Sequence, residues 1–232
     1  MRALMLLAAT CGLLGQATSA GPDMARLASG GADWQFDFEF TAPRRIVVKL
    51  PGHERPQVYW YTIYRATNNT GRDRLLFPAF EVLYQTGDSV GRVEADMGTN
   101  PAVFAAIKQK HTKAYPFLAE PVLAIGRLLQ GSDNARTSVA IWPPIDERAD
   151  RFSVYVAGLA GRTELVRNPH YDRSQPETTK AALPDGTEVS VTVNPRFFTL
   201  RKVLRIDYEF RGDPEARRSQ HPVEAGRSWV MR

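Results

Sequence analysis

The chain is 232 residues long, with 30 Lys and Arg against 25 Asp and Glu, a formal net charge of +5, and 43% hydrophobic residues. That length can bury one large β core or two small ones, and basic residues scattered among acids, with no stripe and no recognition motif, argue against a nucleic-acid partner. The one cysteine, Cys11, lies near the N-terminus, so everything after it can form no disulfide, thiolate nucleophile or Cys-ligated metal site.

The opening stretch MRALMLLAATCGLLGQATSA carries one positive charge at Arg2, an apolar run from Ala3 to Leu14, and small residues at Ala17, Ser19 and Ala20. This order predicts a secretory signal peptide over residues 1–20, with an apolar run too short to span a bilayer. Lipidation at Cys11 would need a lipobox, and Ala8-Ala9-Thr10 is a poor one. An exported chain without cysteine in its mature part points to a bacterial envelope, periplasmic or extracellular. No later segment is long and apolar enough for a transmembrane helix. Residues 21–33 read as a flexible leader, and 34–232 as a single domain.

Trp34, Phe36, Phe38 and Phe40 alternate with polar residues, the period of a half-buried strand. Pro43 breaks it, and Ile46 to Leu50 makes a second strand before the Pro51-Gly52 turn. Val58 to Thr67 is rich in aromatic and β-branched types and runs into Asn68-Asn69-Thr70-Gly71. Trp60, Thr62, Tyr64 and Ala66 fall on one face and Tyr59, Tyr61 and Ile63 on the other, so this is the central strand, covered on both sides. Leu75 to Phe77 is a brief edge element ahead of Pro78, and Phe80, Val82 and Tyr84 form the inward set of another strand.

A helical insertion is expected near 100–131. Asn100 and Pro101 suit the N-cap and first position of a helix. Val103, Phe104 and Ile107 share its face, and Lys108, Lys110 and His111 suit its C-terminus. Pro121 to Leu129 reads as a second helix despite Gly126. Thr137–Trp142, Phe152–Ala157, Glu188–Val193 and Phe197–Phe210 are the remaining strands, with Ser228–Met231 a short last one. In Phe197–Phe210 the even positions are apolar apart from Lys202, and Arg201, Arg205 and Asp207 point the other way. A long polar loop is expected near 162–185. The class is all-β, with a sandwich carrying one or two short inserted helices.

The strand ending in TNNTG, the stretch FPAFEVLYQTGD, then SVAIW and VYVAGLAG resemble uncharacterised secreted bacterial modules with an immunoglobulin-like β-sandwich. The resemblance covers roughly Tyr59 to Gly161. Its motifs describe strand ends and turns, so it implies fold and export and carries across no catalytic residue.

Candidate chemistry is sparse. His53, His111, His170 and His221 lie in four separate polar segments, without the short spacing of a zinc site. His170 and Asp172, in the long polar loop, are the nearest approach to a catalytic cluster, beside the plainer reading of solvated loop residues. Asp146, Glu147 and Asp150 are candidate oxygen ligands for a metal such as Ca²⁺, but Arg148 and Arg151 interleave with them and suggest surface ion pairs. Asp185-Gly186 is a turn first. Serine catalysis would want a Gly-x-Ser-x-Gly elbow on a strand-to-helix turn, and no segment is read as one. Asn68-Asn69-Thr70 fits a glycosylation sequon and is read as a turn with Asn at positive φ. Arg211-Gly212-Asp213 matches an adhesion tripeptide and is explained by turn chemistry. Tyr59, Trp60 and Tyr61 could hold a sugar ring, though a central strand buries such residues.

The sequence therefore favours a non-catalytic exported β-sandwich that acts by binding or structural association in the bacterial envelope. Its expected partner is a protein or an anionic envelope polymer, with no cofactor. The alternative is a secreted hydrolase with its site in the 162–185 region.

Overall fold

A computed structural model describes residues 26–30, 33–95, 101–212, 215 and 220–232. The expected signal peptide, Asn100 and Asp213 lie outside the described residues. Strands β1 to β15 are numbered in chain order.

Strand β4 (Gln57–Thr67) is central to one sheet. Along one of its edges lie β2 (Asp37–Phe40) and β3 (Arg44–Val48), end to end, and along the other lies β9 (Arg136–Trp142). The break between β2 and β3 falls at Thr41–Pro43, where proline has no N–H to offer the ladder. Thr41 repairs it: its N–H donates to the Ile63 carbonyl at 2.8 Å, its hydroxyl accepts from the Ile63 N–H at 3.1 Å, and its carbonyl accepts from the Thr62 hydroxyl at 2.6 Å.

The larger sheet runs β7 (Ser89–Glu94), β6 (Ala79–Thr86), β10 (Arg151–Ala157), β14 (Phe197–Glu209) and β15 (Val223–Met231). Beyond the end of β10, β11 (Thr163–Arg167) continues along the first half of β14 and pairs in turn with β1 (Arg26–Gly30). Between β10 and β11 the chain leaves β14 to pair with the residues just before β2: Phe36 N–H donates to Leu159 O at 2.9 Å and Gly161 N–H to Trp34 O at 3.0 Å. Gly158 has φ +79°, and a Cβ on Gly161 would sit 1.9 Å from the Trp34 ring, so both glycines of the Gly-Leu-Ala-Gly stretch are required by their surroundings.

Two apolar clusters follow from the two faces of β4. Trp60, Tyr64 and Ala66 meet Phe80, Val82, Phe152, Val154, Leu204, Ile206 and Tyr208 of the larger sheet, with Trp142 beside them. Tyr61 and Ile63, on the opposite face, pack with Ile46, Val139 and Ile141 against Val103, Phe104 and Ile107 of helix α1 (Pro101–His111). The layers are therefore sheet, sheet and helix, and strands dominate. Burial pushes the Tyr64 hydroxyl up to about 12. No helix among the described residues is long and apolar enough to cross a membrane.

Three readings of the sequence change. Pro121–Leu129 is no helix: a 3₁₀ turn at Val122–Ala124 gives way at Gly126, φ +124°, to β8 (Gly126–Leu128), which pairs with β5 (Arg74–Leu76). The stretch 162–185 is not one loop. It holds β11 and also β12 (Thr178–Ala182), which pairs with β13 (Glu188–Thr192) as a hairpin. Part of the expected leader, Arg26–Gly30, is strand β1, since adding an edge strand needs backbone groups rather than an apolar pattern.

In the Asn-Asn-Thr-Gly turn the positive φ belongs to Gly71, at +86°, and to no asparagine. Asn68 is buried for a different reason. Its amide donates to Arg72 O at 3.0 Å and Leu128 O at 2.8 Å, and its carbonyl oxygen accepts from Thr70 N–H at 3.1 Å, which ties the β5–β8 ribbon to the end of β4.

Candidate functional site

Alternation along the larger sheet sends Phe80, Val154 and Ile206 inward and Glu81, Tyr155, Val203 and Arg205 to its outer face. Register places Tyr155 directly between Glu81 of β6 and Arg205 of β14. Two neighbouring clefts open on this face, of about 420 Å³ and 480 Å³, within the size range of small-ligand sites.

The first cleft is lined by Glu81, Arg92, Glu94, Tyr155, Arg201 and Arg232, over small residues such as Ala79 and Ala157. Arg232 grips Glu81 with two nitrogens, Nη2 to Oε1 at 2.9 Å and Nη1 to Oε2 at 2.7 Å. Arg92 reaches the same carboxylate from β7, Nε to Oε1 at 2.6 Å, and also pairs with Glu94. The Arg232 guanidinium lies over the Tyr155 ring, 4.3 Å from its centroid, and that of Arg205 lies at 6.0 Å. A planar fork between a carboxylate and an aromatic face has few rotamers left, so its donors are held in place.

Arg201 is carried beside Arg232 by the strand pairing, each N–H donating to the other's carbonyl at 2.7 Å and 2.9 Å. Its guanidinium is exposed and makes no ion pair or side-chain hydrogen bond among the described residues.

In the second cleft Arg205 donates to Asp207 at 2.8 Å, which raises the arginine's already high pKa, and Ser153 donates to the same carboxylate. Arg151 and Glu209 also line it and pair with Asp150 at 3.6 Å and Arg211 at 3.8 Å. Leu83, Gln85 and Val90 complete its walls.

The residues singled out by sequence lie elsewhere. His170 and Asp172 are both exposed, at the base of the β12–β13 hairpin. The Asp172 carboxylate accepts from the Ser174 N–H at 2.9 Å and hydroxyl at 2.7 Å, which holds its pKa below the usual carboxylate range. Its backbone is bound to Asn194, and the His170 N–H donates to Asn168 Oδ1 at 2.9 Å. These are the bonds of a turn. Among the described residues the His170 ring has no hydrogen-bond partner.

Asp146, Glu147 and Asp150 are drawn to three different arginines. Arg148 donates to Asp146 from Nε at 3.1 Å and Nη2 at 2.7 Å, holding that carboxyl at about 2, while Glu147 pairs with Arg45 at 3.4 Å and Asp150 with Arg151. No group of three or more candidate ligands converges on a metal position among the described residues.

His111 lies in a polar segment, but its side chain turns inward from it. It is buried at the end of α1, its Nε2 sharing a 2.8 Å hydrogen bond with the Tyr61 hydroxyl, and burial with Arg44 and Lys110 nearby pushes its pKa down. Trp60 is 5% exposed and Tyr61 0%, so the central aromatics are core. The space beside Trp60, about 30 Å³, has room for about one water.

A Gly-x-Ser-x-Gly spacing is present after all, at Gly87-Asp88-Ser89-Val90-Gly91. It forms the β6–β7 hairpin, with Thr86 opposite Ser89 and φ +57° at Gly87, and no helix follows the serine. Arg211 and Gly212 lie past the end of β14, with φ +85° at Gly212.

No family model, curated protein or solved structure matches the chain.

Proposed function

We propose that this chain is an exported β-sandwich of immunoglobulin-like type that acts by binding in the bacterial envelope, through the outer face of its larger sheet. The observation that carries this reading is the cleft at Tyr155, where Arg92 of β7, Arg201 of β14 and Arg232, the residue after β15, line one sheet face. Donors preset in this way suit recognition, because little freedom remains to be lost when a ligand arrives. The hydrolase alternative has less support: His170 and Asp172 build a turn, and Ser153 donates to a carboxylate already engaged by Arg205. Export rests on the charged, apolar and small order of residues 1–20.

A test is co-sedimentation of the purified chain with insoluble bacterial envelope polymers. Binding is expected for wild type and for Asp172→Asn, and is expected to fall in Tyr155→Ala and Arg232→Ala. Ester or glycoside hydrolysis that disappears in His170→Ala would overturn the reading in favour of the enzyme.

A second reading, structural association, is favoured by the hairpin. Register puts Thr179, Ala181, Val189, Val191 and Val193 on one face and Lys180, Glu188 and Ser190 on the other, and Val191 and Val193 are 40% and 55% exposed.

A further inference from the structure

The apolar side chains that meet solvent are unevenly placed. Leu75, Phe77, Phe117, Val122, Leu123 and Leu129 are all exposed, Phe117 by 90% and Leu123 by 68%, and they come from two short stretches, 75–77 and 117–129. Strand pairing brings the stretches together. Leu75 lies opposite Arg127 and Leu76 opposite Gly126, so Phe77 runs on towards Ile125 and the 3₁₀ turn, and Pro78 and Pro121 line one small space. Alternation buries Leu76 and Leu128 in the core and leaves Leu75, Phe77 and Leu129 on the outer side of the β5–β8 ribbon. At the other end of the second stretch, two bonded turns join Phe117 to the end of α1: Tyr115 N–H donates to His111 O at 2.8 Å and Leu118 N–H to Tyr115 O at 3.2 Å.

Charge over the same part of the chain is of one sign. Residues 101–131 carry Lys108, Lys110, Lys113 and Arg127 against Glu120, and residues 72–77 carry Arg72 and Arg74 against Asp73, which Arg127 engages at 2.7 Å. Strand β3, packed against α1, adds Arg44 and Arg45, the second paired with Glu147. Lys110 and Lys113 are exposed and make no ion pair or hydrogen bond among the described residues.

We infer that this face docks on an anionic phospholipid bilayer, with Phe117, Val122 and Leu123 entering the headgroup boundary and Lys110 and Lys113 lying against lipid phosphates. Apolar side chains carried singly on turns would need a matching groove on a protein partner, whereas a bilayer takes them up without one, and lysines left without a counter-charge complement a surface of uniform negative charge. The surface is separate from the clefts of the larger sheet. Helix α1 covers the opposite face of the β4 sheet, so docking there leaves the clefts open, and the inference goes beyond the binding function proposed above without depending on it.

The experiment is flotation of the full chain, at low ionic strength, with vesicles of phosphatidylcholine alone and of phosphatidylcholine mixed equally with phosphatidylglycerol. Every protein compared carries Leu6→Asp and Leu7→Asp, which interrupt the apolar run of residues 3–14 so that this run does not itself enter the bilayer. Binding to the mixed vesicles is expected to exceed binding to phosphatidylcholine by about tenfold or more, since each lysine near an anionic surface contributes about fivefold. Lys110→Gln combined with Lys113→Gln is expected to remove most of that preference. Phe117→Ser combined with Leu123→Ser is expected to weaken binding to the mixed vesicles by about tenfold or more, the value of burying a large apolar side chain. Both double variants should keep the parent melting temperature, because all four side chains are exposed. Absence of binding, equal binding to the two kinds of vesicle, unchanged binding in either double variant, or an equal loss in Arg201→Gln would overturn the inference. Self-association that Phe117→Ser abolishes, without vesicle binding, would also overturn it and make the occupant a second copy of the chain.

Discussion

Strand β4 and the β12–β13 hairpin are both antiparallel and contain β-branched residues, yet they lie at opposite extremes of burial. β4 has neighbours on both edges and a layer on each face. The hairpin has one partner strand, and the face bearing Val191 and Val193 meets solvent. Local pattern makes a strand, but stability comes from what covers it, and an isolated two-stranded ribbon is marginal in water. The base of the hairpin is held by polar bonds instead, from Asn194 to Asp172 and Gln175 and from Asn168 to Pro195. The core of this protein and the base of its hairpin are thus held by different means.

The contrast can be broken most forcefully at Trp60. Trp60→Ala should destabilise by about 3 to 5 kcal/mol, the cost of deleting a large aromatic from a packed core. A urea midpoint that barely moves would place this indole outside the core.

A smaller effect is expected where the second cluster meets α1. The pKa of His111 is lowered by burial first and then by Arg44 and Lys110, so between its folded value and an unfolded value of about 6.5 the unfolded chain holds more protons. The stability tied to neutral His111 is full above that pH and is lost as pH falls towards the folded value. Urea midpoints should therefore drop between neutral pH and about pH 5. His111→Gln, which can still bond the Tyr61 hydroxyl, should lose that step. The exposed carboxylates with lowered values, Asp146, Asp172 and Asp185, titrate in a more acidic window and do not obscure it. An identical pH slope in the variant would remove His111 as the cause.

The smallest effect belongs to the hairpin. Val191→Ala should shift stability by no more than about 0.5 kcal/mol, as at other surface positions. A loss of about 2 kcal/mol or more, of the size seen on truncating buried aliphatic side chains, would mean that the apolar face is covered.

Much of this contrast was legible in the sequence on one side only. The aromatic run of β4, the Phe80-Val82-Tyr84 alternation and the Val103-Phe104-Ile107 face all announce burial, because core contacts require apolar bulk at the strand or helix period. Besides β8, the strands missed were β1, β7, β11 and β12, which lack a clear apolar period; backbone pairing orders them, with a distant strand for β1 and β11 and across a hairpin for β7 and β12. The failed helix at Pro121–Leu129 turns on Gly126, whose positive φ suits glycine and ends the helical path.

The cleft was half legible. Arg201, Arg205 and Asp207 were read as an outward face of β14, but Glu81, Arg92 and Tyr155 come from three other strands and Arg232 from just past the end of β15, and only the sheet order brings them together. His170 and Asp172 drew notice as neighbours in sequence, where the structure uses them to turn the chain.

Native-state hydrogen exchange on the full chain tests most directly whether stability resides at β4 and not at the hairpin. Amides of Trp60 to Tyr64 should exchange only through global unfolding, with a free energy matching that from urea, while amides of Thr179 and Val191, a hydrogen-bonded pair of the hairpin, should exchange through local opening and far faster. Equal protection of the two regions would contradict the concentration of stability at β4.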